Sequence, residues 1–344
     1  MAKFDKASDI KVGVIGYGGA FNMGKQHLLE MQKAGMTPVS VVDLDEDRLE
    51  VAKEDFPGIE TYTSSTEMLE NSDVNLIVII TPHNTHAELA LECLEAGRHV
   101  VCEKPLAITT EECDQMIGAA EENDVMISTY HNRHWDGCIL RAVEEICEKG
   151  VIGEVLRIEA HMGGYGQPSD WWRSSKSISG GVLYDWGVHL LEYSLQILDG
   201  NMQEVSGYSA TGHWASHTKW QEDTNEDEAT AVVRFDNGQL LSLRITTIDS
   251  NPKEGRLEIT GTEGSYVMDG ATWKTITHEN GTKVVKEGSN PDGEGWRFYQ
   301  NVADHLTDDE SLVITAEWAR RPIHILDLAD TSASENKAIE TIYD

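Results

Sequence analysis

Short apolar runs alternate with amphipathic stretches along the chain up to residue 130. The runs have the length of buried strands, and the stretches between them carry apolar residues at helical spacing. This alternation predicts a parallel sheet with helices on both faces. The predicted strands cover residues 10–15, 38–43, 76–80, 99–103 and 125–129, and the predicted helices cover residues 24–34, 45–55, 87–96 and 109–123.

The pattern changes after residue 130. One more helix is predicted over residues 137–149, and strands then follow one another with short turns between them, which favours an antiparallel sheet. We therefore predict an α/β protein with two domains, residues 1–130 and 131–344. The predicted strands of the second domain cover residues 155–161, 205–213, 229–235, 239–247, 256–260 and 265–268.

The first predicted strand runs directly into Gly16 and Gly18, and a helix follows. Glycines in such a turn let the backbone approach a pyrophosphate, whose charge the helix N-terminus favours. The second strand ends in Asp43, a carboxylate that can accept hydrogen bonds from both adenosine ribose hydroxyls. A strict G-x-G-x-x-G motif would have glycine where Phe21 stands, and glycines also serve simply to turn a chain. With strand, helix and Asp43 in place, we predict a dinucleotide site that prefers NAD to NADP.

Lys104 stands at the carboxyl end of a predicted buried strand, directly before Pro105. Proline lacks an N–H group and disfavours helix in the preceding residue, so it stops the strand and holds the lysine at the sheet edge. Open α/β sheets bind their ligands at that edge. Lys104 is therefore a candidate catalytic cation, and the alternative is a solvated strand end.

Asp185 and His189 lie four residues apart on an apolar helix predicted over residues 179–198, so they share one face. Buried without partners they would be costly, so they either bond each other, as a structural pair would, or line a polar cleft.

A zinc site would need further ligands beside His189. His131, His134 and His161 exist, but nothing in the sequence fixes them there, so no metal is predicted. The five cysteines form no C-x-x-C pair, which indicates neither a disulfide framework nor a thiolate zinc site.

Residues 170–173 read Asp-Trp-Trp-Arg, which provides rings that can stack on a sugar and a guanidinium that can bond its hydroxyls. Paired tryptophans are as often packing residues. We expect the substrate to contact His161, Trp172 and Arg173.

Acidic residues outnumber basic ones by 60 to 27, which gives a formal charge of −33. Such a charge repels nucleic acid and anionic membrane surfaces, so neither is expected as a partner. No apolar run has membrane-spanning length, and the polar lead before residue 10 leaves no room for a signal peptide, so we expect a cytoplasmic protein.

Taken together, five motifs resemble those of the glucose-fructose oxidoreductase and inositol dehydrogenase family, Gfo/Idh/MocA. They are Gly16-x-Gly18, Thr81-Pro82-x-x-x-His86, Glu103-Lys104-Pro105, Trp172-Arg173 and Gly180-Gly181-x-x-x-Asp185-x-Gly187-x-His189. The resemblance implies an N-terminal Rossmann domain and a C-terminal α/β domain with a large open, mainly antiparallel sheet. It also implies pyridine-nucleotide redox chemistry on sugars, inositols and related alcohols.

By this resemblance, Lys104, Asp185 and His189 match the family's catalytic lysine, aspartate and histidine, and we expect them to converge beside the nicotinamide. The residues expected on the cofactor side are Gly16, Gly18, Met23, Asp43, Thr81, His86, Glu103 and Lys104. The chain departs from the family pattern at residues 19–23, which lengthen the phosphate turn, and at His83, where the family often has asparagine.

The expected reaction oxidises a secondary alcohol. His189 would act as general base and Lys104 would stabilise the developing alkoxide, while Asp185 orients His189 or binds a neighbouring hydroxyl. One alternative is an enzyme that retains NAD and uses transient oxidation to epimerise or cleave a glycoside. Another is a sugar-sensing regulator without catalysis. We also expect a homodimer or homotetramer formed through the C-terminal sheet, one face of which helices would leave uncovered.

Overall fold

The computed structural model describes residues 2–19 and 21–343, which form two compact units. The first unit contains the chain up to Asn132 together with Trp296–Arg320, and the second contains Arg133–Gly295 and the chain from Arg321 onward. The sequence-based division at residue 130 did not include the return of Trp296–Arg320 to the first unit. That return depends on contacts with distant parts of the chain.

The first unit is built on a six-stranded parallel sheet with the order β3-β2-β1-β4-β5-β6. Its strands are β1 (Lys11–Ile15), β2 (Thr37–Val42), β3 (Glu60–Tyr62), β4 (Leu76–Ile79), β5 (His99–Cys102) and β6 (Ile127–Thr129). Every residue of β4 and β5 is buried, as expected where helices cover both faces of a parallel sheet. This arrangement confirms the predicted Rossmann fold.

The four helices predicted in the first part of the chain begin and end within one residue of the predicted positions, and a fifth helix there, Ser65–Asn71, was not predicted. The α-helices of the two units are α1 (Met23–Lys33), α2 (Glu46–Asp55), α3 (Ser65–Asn71), α4 (His86–Glu95), α5 (Thr110–Glu122), α6 (Gly137–Val143), α7 (Lys176–Ser179), α8 (Leu183–Leu195), α9 (Arg297–Asp308) and α10 (Ala316–Glu335). The start of α5 is a capping box in which Thr109 and Glu112 each satisfy a backbone N–H of the other.

Helix α9 carries the returning segment onto the first unit. The Tyr299 hydroxyl lies 2.5 Å from His27 Nδ1 on α1, and Ser128 Oγ donates to the Ile314 carbonyl at 2.7 Å. The amphipathic sequence of α9 buries its apolar side chains, among them Phe298 and Leu306.

The second unit contains a nine-stranded sheet with the order β14-β13-β12-β11-β7-β10-β9-β8-β15. Its strands are β7 (Val155–Gly163), β8 (Met202–Ala210), β9 (Glu228–Phe235), β10 (Leu240–Thr246), β11 (Leu257–Gly261), β12 (Gly264–Met268), β13 (Thr272–Glu279), β14 (Thr282–Ser289) and β15 (Ile339–Glu340). Strands β7 and β10 pair in parallel, and the other neighbours are antiparallel. The predicted mainly antiparallel sheet is therefore confirmed.

Helix α8 packs on the buried face of this sheet. Gly187 permits the close approach, because a Cβ atom there would lie 2.9 Å from Leu243 Cδ2. The helix predicted over residues 179–198 is shorter in the structure, because Gly180 and Gly181 adopt φ angles of 89° and 124° and separate α7 from α8.

Two further differences follow from local chemistry. The hairpin of β13 and β14 was not predicted, since most of its side chains are exposed and show little apolar alternation. The helix predicted over residues 137–149 is α6 followed by a π-helical segment, Glu144–Glu148. None of the helices within the described residues combines the length and the hydrophobicity that a bilayer crossing would require.

Candidate functional site

Four of the predicted site residues follow four neighbouring strands of the first unit. Gly16 follows β1, Asp43 follows β2, Thr81 comes two residues after β4, and Lys104 comes two residues after β5. Because the strands are parallel, their carboxyl ends meet at one edge of the sheet. The order of the strands reverses between β1 and β4, and such a switch point is where open α/β sheets bind ligands.

The passage from β1 through the turn into α1 requires glycine at two positions. Gly16 has a φ of 103°, and a Cβ there would lie 2.3 Å from the Ile80 carbonyl oxygen. Gly24, in the first turn of α1, would bring a Cβ within 2.8 Å of the Gly16 oxygen. Gly24 thus provides the close strand–helix packing that the third glycine of the strict motif provides, which explains how the turn tolerates Phe21. Met23 is the first residue of α1.

Asp43 is held at the end of β2 by backbone donors. Its Oδ2 accepts from the Tyr17 N–H at 2.6 Å, and its Oδ1 accepts from the Asp45 N–H at 2.9 Å. These bonds fix the carboxylate beside the glycine turn, and its remaining lone pairs can accept further hydrogen bonds.

Glu103 anchors the backbone of Lys104. Its Oε2 accepts from the Lys104 N–H at 2.9 Å, and its Oε1 lies 3.1 Å from His27 Nε2. Burial alone would raise the pKa of Glu103, but the hydrogen bond and charge of His27 and the charge of Lys104 hold it below its usual value. The carboxylate is therefore ionised at neutral pH and orders the chain next to the candidate catalytic lysine.

His86 links the turns that follow β4 and β5. Its Nδ1 lies 2.8 Å from the Pro105 carbonyl oxygen and its Nε2 lies 3.0 Å from the Thr81 carbonyl oxygen. The side chain is fully buried, and burial lowers its pKa. His86, predicted to lie on the cofactor side, thus directs both ring nitrogens at backbone carbonyls that flank the predicted site.

Helix α8 carries the other two candidate catalytic residues, in the second unit. His189 is 5% exposed, and its ring lies 5.6 Å from that of Trp186. The Asp185 side chain is 36% exposed, and its Oδ1 lies 3.8 Å from Arg173 Nη1. The structure therefore brings Asp185 and Arg173 together.

Arg173 lies against the paired tryptophans. Its guanidinium carbon is 4.8 Å from the ring centre of Trp171 and 5.1 Å from that of Trp172. The indole N–H of Trp220 donates to the Trp171 carbonyl at 2.9 Å and fixes this segment. Cation–π contacts with Arg173 thus occupy part of the ring surface that was predicted to stack on a sugar.

His161, on β7, offers a hydrogen-bond acceptor. Its Nδ1 lies 3.3 Å from the Arg256 carbonyl oxygen, which can only accept, so Nδ1 carries the proton. Burial and the charges of Lys253 and Arg244 lower the pKa of His161 and favour the neutral ring. Its Nε2 is buried and has no hydrogen-bond partner in the part of the chain that the structure describes.

The sequence did not reveal several neighbours of α8. The guanidinium carbons of Arg133 and Arg256 lie 5.0 and 4.8 Å from the ring centre of Trp186 on α8. These residues come from separate elements, so no spacing rule connects them. Glu192, 1% exposed and 2.5 Å from His134 Nδ1, does carry a signal, because it follows His189 at helical spacing.

Across residues 2–19 and 21–343, no group of three or more His, Cys, Asp or Glu side chains is arranged to hold a metal ion.

The chain matches two family models. Residues 10–131 match the oxidoreductase family with an NAD-binding Rossmann fold, GFO_IDH_MocA, and residues 140–267 match the GFO/IDH/MocA C-terminal domain. The resemblance stated from the motifs is therefore confirmed.

The similarity to individual relatives extends over most of the chain. It is 24% identical to the scyllo-inositol 2-dehydrogenase (NADP(+)) IolW of Bacillus subtilis, covering 97% of this chain and 96% of that protein. It is 29% identical to the myo-inositol 2-dehydrogenase of Thermotoga maritima, covering 80% of each. The solved structure of an NAD-binding protein from Listeria innocua has a TM-score of 0.80 and 28% identity, covering 96% of this chain and 97% of that one.

The glycine turn yields a paired prediction. Gly16→Ala should lower the free energy of unfolding by about 1–3 kcal/mol, because it forces a side chain into a left-handed backbone against Ile80. Gly18→Ala should leave it within about 0.5 kcal/mol, because nothing lies within 4 Å of the added Cβ. Urea denaturation compares them, and equal losses would contradict this account of the turn.

Proposed function

Because this chain belongs to the Gfo/Idh/MocA family of oxidoreductases, we propose that it transfers a hydride between NAD and a secondary alcohol of a sugar, inositol or related polyol. The observation that carries the proposal is the position of Lys104 at the same sheet edge as the glycine turn and Asp43. The names of the two inositol dehydrogenases among its relatives support the substrate class.

The residues at the sheet edge fit a dinucleotide. At Gly18 the space around a Cβ position is open, so a pyrophosphate can approach the backbone between Gly16 and Met23, where α1 begins. Asp43 can accept hydrogen bonds from the adenosine ribose. Thr81 and Glu103 complete the proposed cofactor side. When bound, NAD supplies the acceptor for the hydride.

The chain's own residues would stabilise the charge that develops on the substrate and accept the hydroxyl proton. Lys104, whose backbone Glu103 fixes, stabilises the negative charge that develops on the substrate oxygen. His189 takes the hydroxyl proton as general base, because a neutral imidazole has a ring nitrogen that can accept it. Asp185 orients the substrate or the imidazole.

A polyol also suits the polar groups of the second unit. His161 Nε2 is a buried acceptor without a partner among the described residues, and a substrate hydroxyl would supply the missing donor. Arg173, beside Asp185, offers guanidinium donors to a neighbouring hydroxyl. A substrate with several adjacent hydroxyls can satisfy such groups, whereas a simple alcohol cannot.

Cofactor preference is the first prediction from this proposal. The kcat/KM should be higher with NAD than with NADP, because the Asp43 carboxylate would repel a 2′-phosphate. Asp43→Ser should bring the kcat/KM values for NAD and NADP closer together, because it removes the repelling carboxylate. Arg48 should add to this effect by attracting the 2′-phosphate, because its guanidinium reaches the turn and would lie 2.4 Å from a Cβ at Gly19. Asp47→Ser, a nearby change of equal charge, is the control and should leave the ratio unchanged. A wild-type preference for NADP would refute the role given to Asp43.

Catalysis gives the second prediction. Lys104→Ala and His189→Ala should each lower kcat by on the order of a hundredfold or more, with NAD affinity changed much less. Asp185→Ala should have a milder effect if it only orients. Steady-state kinetics and cofactor titration measure this, with Lys33→Ala as the control lysine. A Lys104→Ala variant of full activity, or losses confined to melting temperature, would contradict the catalytic assignment.

Association through the second sheet is the third prediction. The face opposite α8 presents Thr230, Arg234 and Arg244 together with the apolar Val232 and Leu240, and Arg234 pairs with Glu204 at 2.7 Å. Covering this mixed face would favour a dimer or tetramer. Light scattering at micromolar concentration should give at least twice the chain mass of 38.2 kDa, and a mass near 38.2 kDa would refute the proposal.

A further inference from the structure

Helix α8 has no capping side chain of its own. It begins after Gly180, Gly181 and Val182, and the Val182 side chain makes no capping hydrogen bond. In a capping box, an acidic residue at the third helical position bonds the N–H of the cap residue. In α8 that third position is Asp185, one of the candidate catalytic residues.

Glu226, from the segment before β9, makes this bond instead. Its Oε2 accepts from the Val182 N–H at 3.0 Å. Gly181 makes room for the carboxylate, since it has a φ of 124° and a Cβ there would lie 2.9 Å from Glu226 Oε2. The double glycine before α8 therefore lets a side chain from another element reach the start of the helix.

Two further charges hold Glu226 in place. The carboxylate is 5% exposed, and its Oε1 lies 2.7 Å from Lys176 Nζ, which is also 2.7 Å from Asp330 Oδ1 on α10. Burial alone would lower the pKa of Lys176, but the two carboxylates hold it above its usual value. Lys176 is thus charged and balances the buried carboxylate.

We infer that Glu226 is a positioning residue for the reaction: by capping Val182, it leaves the Asp185 carboxylate directed to the site. This inference rests on the proposed function of Asp185. In the structure Asp185 Oδ1 lies 3.8 Å from Arg173 Nη1, and it is Glu226 that accepts from the Val182 N–H. Without Glu226, Asp185 is the group that can turn back to the Val182 N–H, and the site loses it.

A double-mutant cycle tests the inference kinetically. Glu226→Ala should lower kcat/KM for the polyol by about tenfold or more, as Asp185→Ala does, and the double variant should be no worse than Asp185→Ala alone. Glu226→Gln keeps an acceptor oxygen and should stay within about twofold of wild type. Glu50→Ala, which breaks the exposed pair with Lys53 on α2, is the control and should leave kcat/KM unchanged.

A crystal structure of Glu226→Ala supplies a readout that does not depend on turnover. Asp185 should lie about 3 Å from the Val182 nitrogen. If Glu226→Ala does not fold, Glu226→Asp, too short by one methylene group, replaces it in both experiments. The inference would be overturned if Asp185 had not moved in the variant, or if the two substitutions had additive effects on kcat/KM. It would also be overturned if Glu226→Ala lowered only the melting temperature. A wild-type protein that reduces no NAD would instead refute the proposed function, while the crystal structure would still decide the position of Asp185.

Discussion

The parallel pairing of β1 with both β2 and β4 is the constraint on which the first unit depends. Because β2 and β4 lie on opposite sides of β1, the connecting segments lead away from β1 in opposite directions, and a crevice remains at the carboxyl ends of the strands. The glycine turn, Asp43 and Lys104 are far apart in sequence, yet each directly follows a strand of this sheet or comes within two residues of one. The buried Val and Ile side chains of the strands thus position the polar residues at their ends.

Backbone N–H groups hold the carboxylates of the site in an otherwise highly acidic chain. Asp43 accepts from Tyr17, Glu103 accepts from Lys104, and Glu226 accepts from Val182. A backbone donor carries no net charge and cannot leave, so it fixes a carboxylate without needing one of the scarce basic residues. The basic residues are then available elsewhere: Lys176 balances buried Glu226, and Arg173 lies beside Asp185.

Sequence patterns predicted the features that depend on local order. Strands β4 and β5 are continuous apolar runs, and the motifs around Lys104 and His189 led to the family that the comparisons confirm. Features that depend on contacts between distant segments were missed. The return of α9 requires Tyr299 to meet His27, and the cap on α8 requires Glu226 to reach Val182, neither of which leaves a periodic signal. No residue type in the sequence signals the π-helical segment after α6 either.

The most direct test of the account follows the hydride itself. Purified protein would be incubated with NAD and with inositols, aldoses and glycosides deuterated at their carbinol carbons, and the reduced cofactor would be examined by NMR. The account predicts that, with at least one polyol, deuterium appears at C4 of the nicotinamide and none is incorporated from labelled water. The account would be contradicted if none of these compounds reduced NAD, or if the hydrogen added to the nicotinamide came from solvent.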